Sequence, residues 1–180
     1  MRILGLSGSL RQASRHTALL RLAAEMMPDG VSLVLHDLRG LPFYDHDLET
    51  AGGDALNGVA ALNAAIAAAD AVLIACPEYN HSVTAVLKNA IDWASRPAMR
   101  SPFAGKRVGV IGAAPGIVGT ARVQGHLKMV LLSMLAQPFP WPELLVGQSK
   151  NRFTDGALTD ETTREFLGKF IDGFVDYVQS

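Results

Sequence analysis

The side chains of this 180-residue sequence that are best suited to chemistry fall in three short stretches. The first, residues 8–17, reads Gly-Ser-Leu-Arg-Gln-Ala-Ser-Arg-His-Thr. Ser9, Ser14 and Thr17 supply hydroxyl groups, Arg11 and Arg15 supply guanidinium groups, and His16 lies among them. At the start of a helix, backbone N–H groups lack partners and the helix dipole is positive, so such residues can hold a phosphate or another anion. Ser14 also suits a plain helix cap, and composition leaves both readings open. Three known loops are excluded. There is no Gly-x-x-x-x-Gly-Lys-Ser/Thr for a Walker loop and no Gly-x-Gly-x-x-Gly for a dinucleotide fingerprint, and Gly5-Leu6-Ser7-Gly8-Ser9 closes on Ser where a nucleophile elbow needs Gly.

The second stretch is Pro77-Glu78-Tyr79-Asn80. Pro and Asn favour turns, but an aromatic ring such as Tyr79, projecting from the carboxyl edge of a sheet, can pack on a planar ligand. The third is Ala113-Ala114-Pro115-Gly116-Ile117-Val118-Gly119. Its glycines leave backbone N–H groups unobstructed for a flat polar ring, or serve loop geometry alone. Other candidates read as structural. Asp45-His46-Asp47 has metal-capable types, but three adjacent residues do not converge on one ion, so a solvated loop is expected. His16, His36, His81 and His126 have no metal spacing, and no metal site is expected. Cys76 reads as core packing, Trp93 as packing on its helix, and Lys88 with Asp92 as an i,i+4 helix pair. The residue types for a Ser-His-Asp hydrolase occur, but no motif positions a nucleophile.

The elements that must position these stretches alternate. Strands are expected at 3–6, 31–37, 71–76, 108–112 and 144–146, and helices at 15–27, from Asp54 through Ile66, at 84–95, from 120 to about 136, and at 160–178. Asp54 is expected to cap the second helix, with Ala55, Leu56, Val59, Leu62 and Ile66 on its apolar face. Leu127, Val130, Leu131, Met134 and Leu135 are expected inward on the fourth helix, and Phe166, Phe170, Phe174 and Val178 on the last. Residues 38–53 form a long polar and aromatic connection. Strand–helix alternation predicts an α/β doubly wound parallel sheet with right-handed crossovers and helices on both faces. In such a sheet ligands bind beyond the carboxyl ends of the strands, and in the strand order 2-1-3-4-5 the three unusual loops meet at one crevice.

Size and composition point to a single domain over residues 1–180. Hydrophobic content of 49% with 18% charged residues is globular, and a net charge of −1 argues against nucleic acid and membrane partners. One cysteine excludes an intrachain disulfide, and with no signal-peptide or membrane-spanning pattern the expected location is the cytoplasm.

Residues 8–14 resemble the Gly-Ser-Leu-Arg-x-x-Ser loop of the NAD(P)H-dependent FMN reductase family. Pro77-Glu78-Tyr79-Asn80-His81-Ser82, followed by Leu87-Lys88-Asn89-Ala90-Ile91-Asp92-Trp93-Ala94-Ser95-Arg96, is similar to its second signature. The likeness runs along nearly the whole chain and is nearest to bacterial quinone and chromate reductases, then azoreductases. It implies a flavodoxin-like three-layer sandwich, with a five-stranded parallel sheet in order 2-1-3-4-5, holding FMN noncovalently. By this resemblance Ser9, Arg11 and Ser14 contact the FMN phosphate, with Arg15, His16 and Thr17 nearby. Pro77, Glu78, Tyr79 and Asn80 border the isoalloxazine ring, and Ala113, Gly116 and Ile117 reach its pyrimidine side. His16 stands where the family often has Asn, Thr120 follows Gly119 where it often has Gly-Gly, and Gly125 replaces an aromatic residue.

The implied activity is an oxidoreductase that passes hydride from NADPH or NADH to FMN, then to a quinone, free flavin, azo compound or chromate-like acceptor. The flavin bears the chemistry, so no side chain is assigned as catalytic. Family members are homodimers or homotetramers. Two alternatives stand beside this: a non-enzymatic electron carrier of flavodoxin type, a class that is strongly acidic where this chain is nearly neutral, and an α/β binding module without flavin. Arg96 and Arg100 are candidates to meet a 2′-phosphate, or are simply solvated.

Overall fold

Residues Ala71–Ala75 form the central strand because an unbroken apolar run can be buried on both faces only inside a covered parallel sheet. In the computed structural model, which describes residues 1–180, this strand (β3) lies between β1 (Arg2–Ser7) and β4 (Arg107–Ala113), parallel to both. β2 (Ser32–His36) flanks β1. The other flank of β4 is shared by two short strands: β5 (Gln137–Pro138) pairs with Arg107 and Val108, and β6 (Leu144–Val146) with Ile111–Ala113. The sheet order is thus the expected 2-1-3-4-5, with the fifth position divided. Pro140 and Pro142 lack the N–H needed to continue the ladder, and the chain leaves β4 there and returns higher up.

Helices α1 (Arg15–Glu25), α2 (His46–Ala51), α3 (Asn57–Ala68), α4 (Ala85–Ala94), α5 (Ala121–Ser133) and α6 (Glu161–Gln179) complete the chain with a hairpin of β7 (Phe153–Thr154) and β8 (Ala157–Leu158). Side chains alternate across the strands and divide the core in two. Ile3, Leu33, Leu73 and Ile111 face Leu19 and Leu20 of α1 and Phe170 and Phe174 of α6. Leu4, Leu6, Val72, Ile74, Cys76 and Val110 face Leu62 and Ile66 of α3, Leu87 and Ile91 of α4, and Leu127 and Leu131 of α5. No helix is long and apolar enough to cross a membrane.

Several details differ from the sequence reading. The 38–53 connection holds α2, and Asp45 caps it by accepting from the Asp47 amide at 2.8 Å. Asp54 is not a cap; it opens a one-turn 3₁₀ segment, α3 begins at Asn57, and Ala55 stays exposed while Val59, Leu62 and Ile66 are buried. α5 ends at Ser133, so Leu135 lies beyond it, in a left-handed conformation and exposed. On α6, Leu167 turns inward and Phe166 outward, because the 3–4 spacing of 167, 170, 171 and 174 follows the helix period better than strict steps of four. The hairpin turns through Asp155 and Gly156, both at positive φ. Asp-Gly between apolar residues is its visible sequence signal.

The long connection is pinned to α4. The Pro42 carbonyl accepts from Asn89 Nδ2 at 2.9 Å and from Trp93 Nε1 at 2.8 Å, while Asn89 Oδ1 accepts from the Tyr44 amide at 2.8 Å. Tyr44 meets the Trp93 ring edge-on at 5.0 Å. Where β4 leaves the sheet, backbones crowd: a Cβ on Gly112 would lie 2.5 Å from Thr120 Oγ1 and 2.6 Å from the Cys76 carbonyl oxygen. We therefore expect Gly112→Ala to cost about 1–3 kcal/mol through overpacking, measured by urea unfolding against wild type. An unchanged midpoint would show that the β4 exit is loosely held.

Candidate functional site

Three loops leave the carboxyl ends of β1, β3 and β4 side by side. The first two are locked together. The Gly8 amide donates to the Ala75 carbonyl at 2.9 Å, Thr84 Oγ1 donates to the Gly8 carbonyl at 2.8 Å, and a Cβ on Gly8 would stand 2.9 Å from Pro77 Cδ. Glycine at position 8 is thus a close-approach requirement.

Beyond Gly8 the backbone is short of partners. From Leu10 to His16 no backbone amide donates to a protein acceptor. Ser14 caps α1, accepting from the Thr17 amide at 3.2 Å. The cap reading is thus realised by Ser14, which satisfies one donor, while a run of amides stays without a protein acceptor. Arg11 is exposed with no carboxylate partner, and Arg15 reaches Ser149 Oγ at 3.4 Å with its guanidinium 5.8 Å from the Phe153 ring centre. The start of α5, by contrast, is taken. Glu78, whose carboxylate side chain is buried, accepts from the Val123 amide at 3.2 Å and approaches Arg122 at 3.5 Å. An internal carboxylate thus neutralises the start of α5, whereas the start of α1 keeps its free donors.

In the second loop, Tyr79 and Ser82 exchange two backbone hydrogen bonds around Asn80 and His81, both at positive φ. This tight turn leaves the Tyr79 ring 57% exposed. The third loop is held from behind by the chain after β6: Ala114 donates to the Val146 carbonyl at 2.9 Å, Gln148 to the Gly116 carbonyl at 2.9 Å, and Ser149 to the Ala114 carbonyl at 3.1 Å. Gly147 is packed against the Ile117 carbonyl too closely to carry a side chain. The amides of Gly116, Ile117 and Val118 have no protein acceptor, and a Cβ on Gly116 would meet nothing within 4 Å.

His16 spans the gap between the first and third loops. It is 7% exposed, and its Nε2 accepts from the Ala113 amide at 3.2 Å. Burial pushes its pKa down to about 4, against an opposing contribution from the hydrogen bond with the Ala113 backbone and with the Arg15 charge adding a smaller push in the same direction as burial. Cys76, buried at the foot of the second loop, has its thiol pushed up to about 12 by burial, which makes it inert at neutral pH.

Together these loops enclose a crevice of about 100 Å³ lined by Ser9, Arg11, Ser14, Arg15, His16, Pro77, Glu78, Tyr79 and Ala113, with Ala114, Pro115 and Ser149. Four expected residues lie off it. Thr17 donates to Ser7 Oγ at 3.0 Å and lines a cavity on the β2 side of the loop; Asn80 sits in the tight turn; Gly116 and the 83%-exposed Ile117 form the outer rim. Sequence reasoning missed Ser149, which arrives from beyond β6 and carries no motif. Arg96 lies over the Tyr44 ring at 5.2 Å, past the C-terminal end of α4. Neither Arg96 nor Arg100 lines the crevice.

The donor set fits a phosphate-bearing cofactor with a planar ring: guanidinium groups and free amides for an anion, an exposed aromatic ring, and a glycine edge with unpaired N–H groups. Comparison with known proteins agrees with this chemistry. Residues 1–151 match the family model described as NADPH-dependent FMN reductase. An NAD(P)H-dependent FMN reductase of Pseudomonas aeruginosa is 42% identical over 168 residues, covering 93% of this chain and 89% of that protein. A 2-hydroxy-1,4-benzoquinone reductase of a Burkholderia species is 36% identical, covering 96% and 93%. Among solved structures, FerB, a flavoenzyme NAD(P)H:(acceptor) oxidoreductase from Paracoccus denitrificans, superposes with a TM-score of 0.87 at 36% identity, covering 99% of this chain and 97% of that one.

The depressed pKa of His16 has a sign that can be checked. In the unfolded chain the imidazole takes up its proton near pH 6.5, but in the folded apo-protein it does so only near pH 4. The contribution of His16 is therefore complete above about pH 6.5 and is lost as pH falls toward 4. Between pH 7 and pH 5 the loss is about 2 kcal/mol. Urea unfolding of apo wild type and His16→Asn at both pH values should show a smaller loss in the variant. Equal losses would place His16 in a solvated environment.

Proposed function

The chain belongs to the NADPH-dependent FMN reductase family, and from that premise we propose that it is an FMN-dependent oxidoreductase of the cytoplasm. It takes hydride from NADPH or NADH and reduces a quinone or a free flavin. One flavodoxin-like domain over residues 1–180 carries the whole site. The observation that carries this reading is the run of unpaired amides from Leu10 to His16, set beside Arg11 and Arg15 and across from a second set at Gly116–Val118.

Bound FMN supplies the redox chemistry, taking two electrons from the nicotinamide and giving them to the acceptor. The chain's own part is binding, orientation and electrostatics. Ser9, Arg11, Ser14 and Arg15, with the free amides of α1, hold the phosphate; Thr17 braces that loop through Ser7. Pro77, Tyr79 and Asn80 shape the turn against one edge of the ring, and the Glu78 carboxylate fixes that turn to the start of α5. The amides of Gly116 and Ile117 offer hydrogen bonds to negative charge gathering at the pyrimidine side. No side chain needs to act as acid or base. The open rim, with Tyr79 and Ile117 exposed, admits donor and acceptor in turn, which suits acceptors as different as quinones, azo compounds and chromate-like oxyanions. Exposed Met129 and Leu132 on the outer side of α5 support association of copies as a homodimer or homotetramer.

Steady-state kinetics of FMN-loaded protein with NADPH and NADH, against a quinone, free FMN, an azo dye and chromate, test the reading. We expect multiple turnovers with a quinone; consumption of only one nicotinamide equivalent per flavin would leave an electron carrier instead. Arg11→Ala should weaken FMN binding about tenfold by removing a charge-assisted contact, read by quenching of flavin fluorescence. Gly116→Val should slow turnover, because its side chain enters open space where a ring would approach. Normal rates in that variant would remove the third loop from the site.

A further inference from the structure

The geometry points to His16 as a positioning residue that joins the two ends of the site: its Nε2 fixes the Ala113 amide, and its Nδ1–H is presented to the phosphate of the cofactor. This rests on the FMN reading above. The imidazole is almost wholly buried yet forms part of the crevice wall, and it makes one hydrogen bond within the protein, from the Ala113 amide to Nε2 at 3.2 Å. A nitrogen that accepts an N–H keeps its lone pair there, so the single proton of a neutral ring is on Nδ1. Burial keeps the ring neutral at physiological pH. Nδ1 has no acceptor in the protein, and it is not among the side-chain atoms sealed from solvent without a partner. The residue lines the crevice together with Arg11, Arg15 and Ser149.

The charged groups that share this crevice divide the work. Arg11 and Arg15 bring positive charge, and the Glu78 carboxylate is held by Val123 and Arg122. His16 adds a directed donor without a further charge. Its other nitrogen holds the last residue of β4, and the free amides of the third loop begin three residues later at Gly116. A group that holds the phosphate thus also sets the root of the loop that faces the ring. This is a mechanical link between the tail and the head of the cofactor, made by one side chain.

The two nitrogens can be separated by substitution. The Asn amide lies where Nδ1 does and can keep the phosphate-side donor, but it is too short to reach Ala113. The Gln carbonyl reaches the Nε2 position and can keep the Ala113 bond, but its donor no longer sits at Nδ1. The first measurement is on wild-type protein: ¹⁵N–¹H NMR of the His16 ring in apo and FMN-loaded forms, expected to show Nε2 as the unprotonated nitrogen and Nδ1 as the protonated one. The second compares FMN affinity and flavin midpoint potential in His16→Gln, His16→Asn and His16→Leu, each checked for native fold by circular dichroism. We expect His16→Gln to weaken FMN about tenfold while keeping the wild-type potential. His16→Asn should bind FMN within about threefold of wild type but with a lowered potential, and His16→Leu should lose on both counts. A proton on Nε2 in the wild type, or folded variants that all match it in affinity and potential, would overturn the proposal and leave the FMN reading intact. A wild-type apo-protein that takes up no FMN would instead sink that reading, and the phosphate role of His16 with it.

Discussion

Burial of β3 on both faces is the constraint on which the rest of the molecule depends. Every residue from Ala71 to Ala75 is closed to solvent, which requires a strand on each side and helices above and below. Parallel neighbours need long crossovers, and those crossovers return every strand in the same direction. The carboxyl ends of β1, β3 and β4 therefore come out together, and the loops that follow them become neighbours although far apart in sequence. The hydrogen bonds that lock them, Gly8 to Ala75 and Thr84 to Gly8, are consequences of that arrangement.

Within the loop cluster, charge is distributed by what each helix start is given. α5 receives Glu78 from the protein itself, and α1 receives only the Ser14 hydroxyl. The difference leaves the start of α1 with unpaired amides beside Arg11 and Arg15, in a crevice that also holds the buried imidazole of His16. The same economy governs the third loop, whose carbonyls are tied back to Gln148 and Ser149 while its outward amides at Gly116–Val118 stay free. The divided fifth strand matters here. If the chain had stayed paired along all of β4, residues 147–149 would not arrive behind this loop.

The sheet and its order were legible because hydrophobic period and strand–helix alternation are set by burial, which leaves a pattern in the sequence. The three loops stood out through residue type and through glycine and aromatic placement, and the sheet order brings them to one crevice. What stayed hidden was set by contacts between distant segments. Asp54 has the right type for a cap, but the chain reaches α3 through a 3₁₀ turn. Phe166 matches an apolar face, but the helix period carries it outward. Glu78 lines the crevice as expected of a residue in the second loop, but the bond from the Val123 amide to its carboxylate is visible only in the packed structure. Ser149 has no local signal, and the two-ended role of His16 depends on an amide nearly a hundred residues away.

The donors of the α1 cradle belong to the main chain. Leu10, Gln12 and Ala13 contribute N–H groups that are the same whatever side chain they carry, so these positions are open to drift, and the x-x of Ser-Leu-Arg-x-x-Ser need not be read as unimportant residues. Only proline, which has no N–H, would remove a donor there. The row of main-chain donors is thereby insulated from most side-chain substitution. The vulnerable positions are Gly8, Gly112 and Gly147, where an added Cβ would collide with neighbouring segments and push the loops apart.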